Sequence, residues 1–240
     1  MRATEDLDAR LLARDHGGPP MALRWQMTKQ TPRFALLLGA MFLQLLLAPI
    51  IVASPGGLAG ARVVAGLVLV AALLAIGARR VSIVLFVVAI TFHVLAFLRP
   101  EPWLDIAATV LRIAFLAYVC GLLIRRVLSE SNVSYDTLAG AACGYMLLGL
   151  IWGEFYILTE LALPGSFEIP ASFRIGPDAD PRASLLYFSF ITLTTVGYGD
   201  MHPNNPGAGG LAVSEALVGQ LYLAMTVASL VGMHIANRGK

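Results

Sequence analysis

The sequence is poor in charge and in cysteine. Only 13% of its 240 residues are charged, 58% are hydrophobic and two are cysteines, and the mean hydropathy is +0.75. This composition excludes an ordinary soluble domain and predicts a chain that lies in a bilayer. The net charge of +2 is too small to indicate a nucleic-acid partner. Cys120 and Cys143 both fall within apolar runs, so we interpret them as packing residues rather than as a disulfide or a metal pair.

The sequence also lacks the residue clusters that would indicate an enzyme. It has no metal-spaced His/Cys cluster, no nucleophile elbow and no phosphate-binding loop, so we expect neither catalysis nor a cofactor. It shows no internal repeat, which makes an ion-coupled transporter the less favoured alternative. The histidines are scattered over the chain, at His16, His93, His202 and His234.

Long apolar runs are what the sequence has instead. A helix needs roughly 20 apolar residues to cross about 30 Å of hydrocarbon, and the runs predict an all-α membrane protein with spanning helices. The predicted spans are Phe34–Ser54, Ala61–Ala78, Val81–Leu98, Leu104–Ile124, Leu138–Leu161 and Leu211–Ala236.

The distribution of basic residues predicts the orientation of these helices, because cytoplasmic loops retain Lys and Arg. Basic residues are concentrated in the N-terminal segment, in the pairs Arg79-Arg80 and Arg125-Arg126, and near the C-terminus at Arg238 and Lys240. We therefore expect a multi-pass protein with both termini in the cytoplasm, and its small size suits a prokaryotic inner membrane. The basic residues on the predicted outer side are Arg62, Arg99, Arg174 and Arg182.

The segment between the last two predicted spans is unlike the other connections. Leu161–Ala183 is long, polar and rich in proline, which predicts an irregular extracellular turret. Arg182–Thr194 then has the length of a short helix but not of a full span. Because backbone can reverse inside a bilayer only where protein or a water-filled cavity satisfies its polar groups, the residues that follow are predicted to line a pore.

The residues that follow are Thr194-Thr195-Val196-Gly197-Tyr198-Gly199-Asp200. This motif is identified as the filter signature of the potassium channel family, and the resemblance covers Thr137–Ala236. It implies that the carbonyls of Thr195, Val196, Gly197 and Tyr198, with the Thr195 hydroxyl, replace the hydration shell of K⁺. It also implies a homotetramer, because one chain carries only one such loop. A simple turn between two helices explains neither the preceding Thr-Thr-Val nor the short apolar helix.

The glycines of the motif have a physical reason beside the resemblance. Carbonyls that all face one axis require alternating backbone conformations, which glycine adopts cheaply, and Gly197 and Gly199 supply them. Val196 and Tyr198 are then predicted to point away from the axis and pack against the short helix. A non-selective monovalent cation channel on the same scaffold is the alternative function, which the intact motif disfavours.

Several residues are predicted to support this filter. We place Thr194 and Asp200 at its two ends and pair Asp200 with Tyr187 across its back. Glu215 lies inside the last span, where a carboxylate needs a partner. For it we favour a hydrogen bond to polar groups behind the filter, with ion attraction as the second choice.

One glycine of the last span is the candidate gating hinge. Gly219 weakens a helix without serving as a cap, and the resemblance places a flexible glycine near this depth. A small residue that lets helices pack closely is an equally weighted alternative.

The first four predicted helices resemble the architecture of voltage-gated channels but depart from it in charge. Arg112 is the only basic residue between Leu104 and Ile124, whereas steep gating takes roughly three or four charges per subunit. We therefore expect weak or no voltage dependence and predict that Arg112 forms a buried ion pair, with Glu154 as its candidate partner. His93 is expected to hydrogen-bond within the helices, and pH sensing stays open.

Together these interpretations divide the chain into three parts. Residues 1–33 are a cytoplasmic N-terminal tail, 34–126 a four-helix transmembrane bundle, and 127–240 a pore domain. The expected partners are further copies of the chain, membrane lipid and K⁺ as the permeant ion, with no nucleic acid.

Overall fold

The computed structural model describes residues 33–52, 57–77, 79–129, 134–173 and 180–238. Most of the tail predicted at 1–33 lies outside these ranges, as does Arg174 in the predicted turret. The unit Pro32–Lys240 is described below by itself.

Helices make up nearly all of the described chain, and the only strands found there are two short ones. The number and length of the helices confirm the all-α membrane fold that the apolar runs predicted. In chain order the helices and strands are α1 (Arg33–Val52), α2 (Gly57–Ile76), α3 (Arg80–Leu98), α4 (Pro102–Ser129), α5 (Tyr135–Ala162), β1 (Phe167–Glu168), a 3₁₀ turn (Ala171–Phe173), α6 (Arg182–Leu193), β2 (His202–Pro203) and α7 (Pro206–Arg238).

Five of the described helices are long and apolar enough to cross a membrane. They are α2 to α5 and α7, and they correspond to five of the six predicted spans. The first predicted span coincides with α1, which is 20 residues long but whose described apolar stretch, Phe34–Leu47, is shorter. The helix α6 is also too short to span, as the sequence predicted for the segment before the motif.

Two helix boundaries differ most from the prediction, by five residues each. The helix α4 continues to Ser129, beyond the Arg125-Arg126 pair, because basic side chains in a last turn interact favourably with the helix dipole. The last span was predicted to begin at Leu211, whereas α7 already begins at Pro206. Proline suits a first helical position, and the Asn205 side chain accepts a hydrogen bond from the Ala208 N–H at 2.9 Å, as a helix N-cap does.

The main apolar core joins the first helices to α5. Leu37 and Met41 of α1, Leu69 of α2, Phe115 of α4 and Leu147 of α5 are buried together. This core packs the bundle against the outer helix of the predicted pore.

The predicted turret contains structure that the sequence did not indicate. Strand β1 pairs antiparallel with β2, with Phe167 opposite Pro203 and Glu168 opposite His202. The pairing joins the segment before α6 to the segment after the Thr194–Asp200 motif, so both ends of the predicted re-entrant loop are tied together.

Candidate functional site

The helix α6 ends directly before the motif, and one of its faces is buried. Leu185, Phe188, Ile191 and Leu193 are buried, so this 12-residue helix is held along an apolar face. It ends at Thr194, whose N–H donates to the Phe190 carbonyl at 3.0 Å and whose hydroxyl donates to the same carbonyl at 2.6 Å. Thr194 is therefore the C-cap residue of α6.

The backbone of the motif alternates in handedness. The φ angles are +59° at Thr195, +50° at Gly197 and +75° at Gly199, and a positive φ is uncommon for a β-branched residue such as threonine. A Cβ added to either glycine would meet no atom within 4 Å. Backbone conformation, rather than space, therefore requires glycine at these two positions.

The first residues of the motif fold back onto the end of α6. The N–H groups of Val196 and Gly197 both donate to the Ile191 carbonyl, at 2.9 Å and 3.1 Å, and the Thr195 N–H donates to Thr192 at 3.0 Å. Motif and helix thus form one hydrogen-bonded unit.

The side chains between the positive-φ positions are exposed in the single chain. Val196 is 50% exposed and Tyr198 is 72% exposed. The fold of a single chain leaves both side chains largely uncovered, and their packing against α6 in an assembled filter stays a prediction.

Tyr187 and Asp200 lie in contact across the back of the motif. The Tyr187 hydroxyl donates to Asp200 Oδ2 at 2.7 Å, and Asp200 Oδ1 accepts from the Met201 N–H at 3.0 Å. Phe173 stacks on Tyr187 with ring centroids 5.2 Å apart, which restricts the ring that makes this contact.

Glu215 is fully buried where α5, α6 and α7 meet. The Tyr156 hydroxyl of α5 donates to Glu215 Oε2, and Ser189 Oγ of α6 lies 2.5 Å from Oε1. Ser189 Oγ is also 2.7 Å from the Gly149 carbonyl oxygen of α5. The sequence predicted that Glu215 would bind polar groups behind the motif without naming them, and Tyr156 and Ser189 are those groups.

A glycine-lined face of α5 receives the other two pore helices, and the sequence analysis missed it. A Cβ added to Gly149 would lie 2.7 Å from the Phe190 ring, and one added to Gly153 would lie 2.9 Å from Leu186. At Gly144 an added Cβ would collide with the Tyr222 hydroxyl. Small residues repeated near helical spacing within an apolar run are the sequence signal for such close helix packing.

Gly219, the candidate hinge, lies against the end of α6. A Cβ added to Gly219 would lie 2.7 Å from Leu193 Cδ1 and 3.0 Å from the Leu193 carbonyl oxygen. The Tyr145 hydroxyl of α5 donates to the same carbonyl at 2.9 Å. This geometry supports the alternative that Gly219 permits close helix packing.

Arg112 forms the ion pair that the sequence predicted. Its Nε and Nη2 atoms donate to the two carboxylate oxygens of Glu154 at 2.9 Å and 2.8 Å. Nη2 also donates to Thr109 at 3.0 Å, and Nη1 lies 3.3 Å from His93 Nδ1. His93 Nε2 lies 3.0 Å from the Arg62 carbonyl oxygen, so it donates there and Nδ1 accepts from Arg112. His93 is therefore hydrogen-bonded within the bundle.

The comparison with known families covers the part of the chain that carries this geometry. Residues 179–235 match a family model described as "Ion channel". This segment is therefore similar to that ion-channel family. The match includes α6, the Thr194–Asp200 motif and most of α7, whereas α1 to α5 lie outside it.

A curated relative also matches part of the chain. The chain is 39% identical over 70 residues to "Two pore potassium channel c" from Oryza sativa subsp. japonica. The match covers 29% of this chain and 14% of the rice protein, so it spans only a small part of that relative's length. No solved structure matches the chain.

Proposed function

We propose that the chain is a subunit of a potassium-selective channel that conducts K⁺ passively across the membrane. The observation that carries the proposal is the positive φ at Thr195, Gly197 and Gly199, directly after a helix too short to cross the bilayer. Alternation of this kind is what a ladder of carbonyls around one axis requires. The similarity to a rice protein named as a potassium channel supports K⁺ as the permeant ion.

In the proposed mechanism, backbone oxygen replaces water around the ion. The carbonyls of Thr195, Val196, Gly197 and Tyr198 and the Thr195 hydroxyl would coordinate K⁺ in turn. Thr194 terminates α6, while Asp200 is held by Tyr187 at the far end of the motif. Gly199 permits the turn out of the filter.

The proposed channel is a homotetramer embedded in lipid. One chain supplies one loop, so a closed ring of carbonyls needs further copies, and Val196 and Tyr198 present exposed faces that a ring of copies would cover. The inner helix α7 carries a row of exposed apolar side chains four residues apart, as expected for a helix that faces other subunits, lipid or a pore. They are Val213, Leu217, Leu221 and Met225.

The proposal extends to the organisation of the whole chain. Residues 1–33 form a cytoplasmic tail, 34–126 the four-helix bundle and 127–240 the pore domain, in a prokaryotic inner membrane with both termini inside. Moving one charge through the field supplies about 2.3 kcal/mol per 100 mV. Because Arg112, the only basic residue between Leu104 and Ile124, is held by Glu154, voltage dependence should be weak.

The reversal potential of the purified full-length chain in planar bilayers tests the proposal. Under opposing K⁺ and Na⁺ gradients, a reversal near the potassium equilibrium potential would support K⁺ selectivity. A reversal near zero in an active preparation would contradict it and favour the non-selective cation channel. Repeating the measurement across voltages tests the expected shallow voltage dependence.

A further inference from the structure

The helix α4 presents one charged face to the pore-forming helices. Asp105, Thr109 and Arg112 are spaced four and three residues apart, so they lie on the same side of the helix. Arg112 binds Glu154 of α5 at 2.8 Å, and Asp105 lies 3.1 Å from Arg182, the first residue of α6. The two contacts are separated by about two helical turns, or roughly 10 Å, so α4 is held against the pore domain at two points.

Arg182 occupies a position where a basic side chain is electrostatically unfavourable. The N-terminus of a helix carries a partial positive charge, which opposes a guanidinium in the first turn of α6. Asp180 offsets this locally, because its Oδ1 accepts the Arg182 N–H at 3.0 Å and its Oδ2 lies 3.3 Å from Arg182 Nε. Asp105 supplies the second carboxylate from the bundle.

The Asp105–Arg182 pair is shielded from solvent on both sides. Both side chains are 19% exposed, so removing one partner would leave a largely buried charge without its nearest counter-charge. Arg62 of α2 lies 3.7 Å from the same Asp105 oxygen, and its Nη1 donates to the Ala96 carbonyl of α3 at 2.8 Å. The carboxylate of Asp105 thus joins the start of α6 to three helices of the bundle.

The other end of α6 is the start of the motif. A helix of 12 residues is about 18 Å long and moves as a rigid rod, so a displacement at Arg182 reaches Leu193 and the residues after it. Tyr145 and Ser189 connect this rod to α5 along its remaining length. The bundle is therefore in contact with the one helix that positions the proposed filter.

We propose that Asp105 and Arg182 are positioning residues through which the α1–α4 bundle holds α6 and so sets the conducting state of the filter. The Arg112–Glu154 pair keeps α4 in register for this contact. The bundle then limits the movement of α6 relative to α5 and so keeps the filter in one position. The role in conduction rests on the proposed function, whereas the mechanical contact does not.

Hydrogen–deuterium exchange of the full-length chain in lipid nanodiscs tests the contact independently of ion selectivity. We compare wild type, Asp105→Asn, Arg182→Gln and the double variant, following peptides that cover residues 182–193. Each single change should accelerate exchange in α6 about threefold or more, and the double variant should exchange no faster than the faster single one, because both remove the same interaction. Glu101→Gln removes an exposed carboxylate at the same end of α4 and should match wild type.

Two further measurements separate positioning from general stability. Thermal unfolding in K⁺ and in Na⁺ should show that Asp105→Asn reduces the additional protection given by K⁺, whereas a purely structural loss would lower both midpoints equally. Single-channel open times should shorten about threefold or more in the same variant. Arg182→Lys keeps the positive charge and should retain most of the wild-type behaviour even if Arg182→Gln does not assemble.

The inference is overturned if α6 exchanges at the wild-type rate in both single variants, or if their effects add in the double variant. It is also overturned if exchange rises while the K⁺-specific protection and the open times stay at wild-type values. A wild-type channel that reverses near zero would instead remove the proposed K⁺ selectivity. That failure appears in the wild type, whereas failure of the positioning role appears only in the comparison of variants.

Discussion

Gly219 of α7 lies so close to Leu193 of α6 that an added Cβ would be 3.0 Å from the Leu193 carbonyl oxygen. The inner helix therefore contacts the base of the proposed filter directly through a backbone atom. A movement of α7 at Gly219 would therefore displace the backbone of Leu193, directly before the motif.

Gly219→Ala distinguishes close packing from a hinge. The added methyl group must displace Leu193, so we expect a loss of about 1–3 kcal/mol in the free energy of unfolding and an altered conductance. Gly232→Ala is the matched control, because a Cβ there meets nothing within 4 Å and alanine favours the helix. Wild-type stability of Gly219→Ala, combined with changed gating, would favour the hinge instead.

Glu215→Leu should disrupt the junction behind the motif. The Tyr156 hydroxyl would lose its buried acceptor, whereas Ser189 would keep the Gly149 carbonyl. An unsatisfied buried group costs about 1–3 kcal/mol, so thermal unfolding of the protein in detergent should shift to lower temperature. Glu215→Gln should be tolerated, because its amide oxygen can accept from Tyr156 and its amide nitrogen can donate to Ser189. Equal stability of the two variants would show that the hydrogen bonds do not matter.

Glu154→Gln should destabilise the chain strongly. Arg112 is only 6% exposed, and in this variant its charge would lose the carboxylate that compensates it. Breaking a buried ion pair in this way lowers the free energy of unfolding by about 3–5 kcal/mol. The double variant Arg112→Gln with Glu154→Gln should recover part of that loss in chemical denaturation, since no unpaired charge remains. No recovery in the double variant would contradict the pairing as the source of the effect.

Tyr187→Phe removes the hydroxyl that holds Asp200 while keeping the ring stacked on Phe173. We expect a loss of about 1.5–3 kcal/mol, the range for a hydrogen bond to a charged group, and faster decline of K⁺ current during sustained recording. Tyr118→Phe in α4 is the control for removing a phenol elsewhere in the chain. Unchanged current in Tyr187→Phe would rule out a supporting role for the contact.

Gly199→Ala tests the backbone requirement of the motif. The φ of +75° at Gly199 costs a residue with a side chain roughly 1–2 kcal/mol, so K⁺ current should fall sharply with little change in expression. Gly121→Ala is a control with equally free space around the added Cβ but without a positive φ. Normal K⁺ selectivity in Gly199→Ala would argue that the left-handed conformation is not needed for conduction.

The sequence by itself determined the membrane class, the position of the short α6 and the motif that follows it. Run lengths and a contiguous motif are local properties, so they can be read without knowing how helices pack. The pairing of Arg112 with Glu154 was also predictable, because an intramembrane charge needs a partner and few candidates exist. The boundaries of α4 and α7 were less accurate, since capping by Asn205 and the helix dipole outweighed the change in hydropathy.

Only the tertiary structure decided which groups meet behind the motif. Tyr156, Ser189 and Glu215 come from three helices, and the rotation of each helix about its axis, set by packing, determines whether their side chains converge. The same holds for Asp105 and Arg182. The glycine face of α5 explains why these helices approach so closely, because side chains at Gly149 and Gly153 would occupy the space that α6 now fills.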